Sequence, residues 1–324
     1  MDVAESALSA PRATIVALDQ NMWIDLARAV KAPQDHPQAR GILELLVAKV
    51  GAGEVRLPLT ATNLFETHKV DDLELRAVIA ETQVTLSRGM VFRCRAPRLR
   101  VEVARVLSHI YALPWTEPDS DWVFSSYFFE AHAELGAPGL VPIPERMLAA
   151  IRANPPGAMF DHLVALDDAT RRQAVVNFEV ASERLRDRME ERRLQHRDEP
   201  VSMRRKIYSV LLALDDQDAM ILVGDRLGLP DRFLADNNGA TMRMVVNETP
   251  ALVIEREIAL KLEGQARALH INDMRDMRNF VTVLPYADIF VAEKMFTNLA
   301  RQAGLADRYR ARLETDLGAL ADLL

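Results

Sequence analysis

Five carboxylates stand where carboxylates need a reason. Asp19 closes the short apolar run Thr14-Ile15-Val16-Ala17-Leu18, and Glu293 follows a second one, Ile289-Phe290-Val291-Ala292. Glu66 lies in a helical pattern opened by Thr60, while Asp273 and Asp276 sit at the start of another. Asp273 precedes Met277 by four residues and Asp276 precedes Phe280 by four, so both flank an apolar stripe rather than its solvent side. Carboxylates gathered without cations repel one another, and one or two divalent ions balance that charge. Hard oxygen donors suit Mg²⁺ or Mn²⁺, which activate water and neutralise charge in phosphodiester hydrolysis. Each acid also has a structural use. Asp19 can cap the following helix, Asp273 and Asp276 can complement a helix N-terminus, and Glu293 can stand at the surface.

The elements that must position these acids read as follows. Thr14–Leu18 is a buried strand, followed by a helix over 22–30 and a second over 37–50 that ends at Gly51 and Gly53. A strand over 54–59 leads through the N-cap Thr60 to the helix carrying Glu66 and His68. A helix over 71–87 stops at Gly89, and 90–94 is a third strand. After that the pattern is helical, with no convincing strand and breaks at Pro or Gly clusters. The helix 274–284, the strand 289–292, the helix 294–303, a short strand at 312–313 and a closing helix over 316–324 restore α/β alternation. Neither flank has enough strands for a sheet covered on both faces. We therefore expect a single discontinuous α/β domain, residues 1–95 plus 270–324, with a parallel sheet flanked by helices, interrupted by an all-α insertion over 96–269.

Composition narrows the function. Of 324 residues, 40 are Lys or Arg and 47 Asp or Glu, a net charge of −7, so nucleic acid cannot be held by the overall field and needs a local basic patch. A single cysteine, Cys94, excludes an internal disulfide framework and a cysteine-rich zinc site. No phosphate-binding glycine loop, dinucleotide fingerprint, internal repeat or membrane-spanning run is visible. Residues 1–12 carry Asp2 and Glu5 and no long apolar stretch, so a cytoplasmic protein is expected.

The acids and their strands resemble a known pattern. Leu18-Asp19-Gln20-Asn21-Met22-Trp23-Ile24-Asp25-Leu26 resembles the opening strand and Asp-x-Asn turn of the PIN domain, a nuclease fold. Asn63-Leu64-Phe65-Glu66 resembles its second acid-bearing helix. Asn272-Asp273-Met274-Arg275-Asp276 and the stretch Leu284–Phe296 resemble the third acid and the strand ending in the fourth. The resemblance covers roughly the first 95 and last 55 residues. It implies a Mg²⁺- or Mn²⁺-dependent endonuclease, usually an endoribonuclease. Asp19, Glu66, Asp276 and Glu293 would be the catalytic metal-binding acids, Asp273 would compete with Asp276, and Asn21 would orient Asp19. RNA is the implied partner and DNA the alternative, with an antitoxin protein as a further implied partner. Gln20, Val291 and Glu293 depart from the family's usual residues, and Val291 and Glu293 favour an alternative: a catalytically decayed PIN-like protein whose insertion binds protein or RNA.

Beyond the acids, Arg88, Arg93, Arg95, Arg98, Arg100 and Arg105 cluster with only Glu102 among them. Arg93, Arg95, Arg98 and Arg100 are the candidate nucleic-acid contacts. Trp115, Trp122, Tyr127, Phe128 and Phe129 are expected in a helix core, although aromatics of this kind can also stack on bases. His68 is expected at the surface. The segment 171–197 is expected to be a solvated helix, and Asp161, Asp167, Asp168, Asp215, Asp216 and Asp218 solvated surface.

Overall fold

The computed structural model describes residues 12–119 and 122–324. Residues 1–11, most of the segment read above as having no long apolar stretch, lie outside the described residues. Among the described residues no helix is long and apolar enough to cross a membrane.

The chain is mixed α/β. Strand β1 (Thr14–Leu18) leads to helices α1 (Gln20–Lys31) and α2 (Pro37–Gly51), then β2 (Val55–Arg56), α3 (Ala61–Lys69), α4 (Leu73–Ser87) and β3 (Val91–Phe92). Next come α5 (Arg95–Ile110), β4 (Phe124–Ser125), α6 (Glu145–Ala153), α7 (Pro155–Val164), α8 (Asp168–Gln195), α9 (Val201–Asp215), α10 (Gln217–Arg226), α11 (Asp236–Glu248) and α12 (Pro250–Glu263). The chain closes with α13 (Ile271–Val283), β5 (Ile289–Val291), α14 (Lys294–Gln302), α15 (Leu305–Tyr309), β6 (Arg312–Glu314) and α16 (Leu320–Leu323). Local chemistry explains many boundaries. Pro37 opens α2 at a position whose N–H would be orphaned anyway. Thr60 and Asn63 form a reciprocal capping box on α3. Gly304, at φ 68°, turns the chain between α14 and α15.

The central sheet is parallel with strand order β2-β1-β5-β6. A parallel bridge between Leu59 and Val91 sets β3 beside the chain that leaves β2. The expected strand at 54–59 is therefore short, because only Val55 and Arg56 pair with β1. β3 also pairs antiparallel with β4, at Val91 with Ser125 and Phe92 with Phe124. This corrects the expectation of a strand-free insertion. Trp122, Tyr127, Phe128 and Phe129 surround β4 and a short 3-10 turn rather than filling a helix. At the C-terminus, a 3-10 turn and the four-residue α16 stand where one helix was expected.

Side-chain alternation covers both faces of the sheet. Ile15, Ala17, Phe290 and Ala292 enter one apolar cluster, together with α12, α13 and α14. Val16, Leu18, Ile289 and Val291 enter the other, with α1, α2 and α7. The first cluster also contains Leu99, Val103, Leu212 and Leu252 from the helical block. That block and one face of the sheet therefore share a continuous core.

Candidate active-site crevice

The sheet creates a crevice at a defined place. Leu18 of β1 is in register with Val291 of β5, and the Asp19 amide donates to the Val291 carbonyl at 2.9 Å. Helix α1, leaving β1, packs Trp23 and Leu26 into one face. Helix α14, leaving β5, packs Phe296 and Leu299 into the other. Connections departing to opposite faces from adjacent parallel strands open a gap beyond their carboxyl ends, and ligands bind in such gaps. Asp19 and Glu293 are the first residues beyond those ends that carry a charge.

The acids meet different fates there. Asp19 is buried at the N-cap position of α1 without a side-chain capping bond to the first turn. Burial raises its carboxyl above the ordinary carboxylate range. The Gln20 amide opposes this, and Glu293 and Glu66 add repulsion. Asp276, on α13, has neither a hydrogen-bond donor nor a cation in contact among the described residues. Its pKa is pushed up to about 8, first by burial and then by Asp19, Glu293, Asp273 and Glu66. These four acids, from four distant segments, therefore act on one another. Glu293 is exposed and caps α14, accepting from the amides of Met295 at 2.8 Å and Phe296 at 3.2 Å. Glu66 takes a guanidinium from Arg275 at 3.2 Å.

Asp273 is removed from the contest. Both its oxygens bind Arg267 at 2.7 Å, and it accepts from the His270 amide at 2.7 Å as the N-terminal box of α13. That leaves Asp276 as the freer third acid. Asn21 is exposed and has no hydrogen bond to Asp19, contrary to the orienting role expected of it. The end of β1 is braced instead by a buried amide network. Asn63 Nδ2 donates to the Leu18 carbonyl at 3.3 Å and to Gln20 Oε1 at 3.4 Å, and Gln20 Nε2 donates to Thr67 Oγ1 at 3.1 Å. Thr67 and Gln83 complete it.

The donor chemistry fits a hard divalent cation, since every candidate ligand is a carboxylate and three of them, Asp19, Asp276 and Glu293, have no protein cation in contact among the described residues. In the side-chain positions described, no three His, Cys, Asp or Glu groups stand close enough together to hold a metal.

The arginine cluster is not an open phosphate-binding surface. Arg93 pairs with Glu130 at 3.2 Å, and Arg95 clasps Asp216 at 2.6 Å and reaches Glu255 at 3.1 Å. Arg100 pairs with Glu134. Arg98 is fully buried, donating to the Arg93 carbonyl at 2.8 Å and to Thr282 Oγ1 at 3.2 Å. Each of the four is spent inside the molecule. Spacing along the chain cannot reveal this: Asp216, between α9 and α10, and Glu255 on α12 lie 121 and 160 residues from Arg95, and Glu134 lies 34 residues from Arg100. His68, expected at the surface, is buried, with its Nε2 3.1 Å from that of His162. Asp215 and Asp216 are taken up by arginines, and Asp167 caps α8.

Arg275 holds a place beside the crevice that no motif in the sequence marked. It bridges Glu66 and Glu179, both at 3.2 Å, and lies 4.7 Å from the Phe65 ring centre. Its only signal was its place between Asp273 and Asp276.

Compared with known proteins, the chain matches no family model, no curated protein and no solved structure.

Proposed function

We propose that this protein is a PIN-like, Mg²⁺- or Mn²⁺-dependent nuclease that hydrolyses phosphodiester bonds in RNA, with DNA as the alternative substrate. The observation that carries the reading is the place of Asp19 and Glu293 just beyond the ends of β1 and β5, where connections leave in opposite directions, with burial and neighbouring carboxylates raising the pKa of Asp19 and Asp276. Asp19 and Asp276 would hold the cation, with Glu66 and Glu293 completing the oxygen set. When bound, the cation offsets phosphate charge and lowers the barrier to attack by water. The chain's own groups do the remaining work. Arg275 restrains Glu66, the Asn63–Gln20 network fixes the end of β1, and the Asp276 carboxyl retains a proton near neutral pH that ionisation on cation binding releases.

The test is cleavage of a fluorescently labelled single-stranded RNA, and of the matching DNA, with Mn²⁺. Asp19→Asn is expected to lower cleavage at least a hundredfold while circular dichroism stays unchanged. Equal rates for both proteins would reject the mechanism.

A second reading has specific support. Arg275 on Glu66, Arg267 on Asp273 and the capping role of Glu293 already occupy three acids with structural work. A catalytically decayed scaffold, working through its helical block with a protein partner or RNA, would leave the acids in this state. Absence of cleavage by the wild-type chain with either metal favours that reading.

A further inference from the structure

Behind the acidic crevice lies a second concavity. A cleft of about 770 Å³ opens between α3, α8, α9 and α13. That volume lies within the range of small-molecule sites. It is separate from the crevice. Met277, Arg278, Val281 and Thr282 line it from one face of α13. At roughly 100° per residue, Asp276 falls on the opposite face. On α3, Ala61, Phe65 and His68 line it, and Glu66 is turned away.

Two features define what the cleft would accept. Its middle is apolar: Phe65 stacks on Phe178 with ring centres 4.2 Å apart, and Leu185, Met189 and Val281 continue the wall. One side carries excess positive charge. Arg188 and Arg192 share a single carboxylate, Asp215, at 3.7 and 3.0 Å. Arg278 has no carboxylate within ion-pair distance among the described residues. Its guanidinium donates only to neutral oxygens, Ser182 Oγ at 3.4 Å and the Ala181 carbonyl at 3.2 Å. Burial, the largest effect, lowers the pKa of Arg278; the Glu255 carboxylate, beyond ion-pair distance, opposes this, and the Arg188 charge adds to it. A half-buried cation with no carboxylate in contact is costly unless something supplies one. His68 and His162 contribute no charge, because burial, first of all, holds their pKa values at about 4 and about 3.

We infer that this cleft binds a small apolar molecule bearing one carboxylate, its hydrocarbon part against Phe65, Phe178, Leu185 and Met189 and its head group at Arg278 and Arg188. The occupant is anionic because five guanidinium groups, of Arg93, Arg95, Arg188, Arg192 and Arg278, line the cleft against three carboxylates, of Asp215, Asp216 and Glu255. It is apolar because the wall beneath them is.

The experiment uses the whole chain and three probes of equal chain length, decanoate, decanol and decyltrimethylammonium, each below its micelle concentration. Titration calorimetry is expected to give tightest binding for decanoate. NMR of the methionine methyl groups is expected to show Met189 and Met277 shifting and Met295, outside the cleft, unmoved. Arg278→Gln is expected to weaken decanoate at least tenfold and leave decanol unchanged, since a charge-assisted hydrogen bond is lost. Val175→Trp, which narrows the cleft, is expected to weaken both. Asp19→Asn is expected to leave decanoate binding unchanged, so that the outcome is independent of the nuclease reading. No decanoate binding, equal binding of all three probes, or undiminished decanoate binding by Arg278→Gln would each overturn the inference.

Discussion

Helix α13 separates two regions of opposite electrostatic character. Among the described residues, Asp19 and Asp276 on one side are carboxylates without a protein cation in contact; on the other, Arg278 is a guanidinium with no carboxylate within ion-pair distance. Other buried charges are satisfied in different ways: Arg98 and Arg76 donate to backbone carbonyls, and Asp273 meets a guanidinium. Asp273 is three residues from Asp276, yet it is held by Arg267 through both oxygens. Arg95, reaching the same cleft as Arg278, meets two acids. The difference teaches that Asp276 and Arg278, each facing a concavity, lack the close partners that Asp273 and Arg95 have. Buried charges in folded proteins are ordinarily paired, so an unpaired one marks a place where an external ion or ligand completes the set.

The comparison between Asp276 and Asp273 can be broken directly. The native state holds a proton on Asp276 up to about pH 8, whereas the unfolded chain releases it near the ordinary value of 3.8. The native state thus binds more protons between those values, and its stability falls as pH rises through that window. Asp276→Asn removes the penalty. At pH 8 it is expected to stabilise the metal-free protein by about 3 kcal/mol, well below the full shift because the crevice relaxes. It should also flatten stability between pH 4 and 8. Urea denaturation across that range checks it, and a destabilised variant at pH 8 would show that Asp276 is not under repulsion.

The opposite sign is expected one turn earlier. Arg267→Ala strands Asp273, which is buried, and is expected to cost about 2 kcal/mol; the partial exposure of Arg267 keeps the loss below that of a fully buried pair. The same denaturation series measures it. A neutral outcome would erase the distinction between the two acids.

The smallest effect sharpens the functional side. Mn²⁺ at ten times its dissociation constant is expected to stabilise the wild-type protein by about 1.4 kcal/mol through mass action. The effect should be absent in Asp19→Asn and larger at pH 8 than at pH 6, because the cation competes with the Asp276 proton. Thermal melts at both pH values decide it. No shift in the wild type favours the decayed scaffold.

Much of the frame was legible along the chain. The unbroken apolar runs in Thr14–Leu18 and Ile289–Val291 mark buried strands, and in the structure their successive residues enter different clusters. Thr60 and Asn63, Pro37 and Gly304 mark helix ends by their local chemistry. These signals survive because capping and turn preferences act over a few residues. β4 was not legible. Two residues are too few to show a period, and its pairing depends on β3, about thirty residues earlier.

What the sequence by itself determined is the kind and placement of the chemical groups: acids beyond strand ends, arginines around α5, and a parallel sheet to carry them. Only the tertiary structure decided which of those charges are neutralised. Asp273 is silenced by Arg267, Glu66 is shared with Arg275, and Arg95 is consumed by Asp216 and Glu255, while Asp19, Asp276 and Arg278 stay unmatched. The reason is range. A helix cap or strand period is set by neighbours in the chain, whereas the state of a charge depends on burial and on every other charge brought within a few ångströms of it, whatever its position in the sequence.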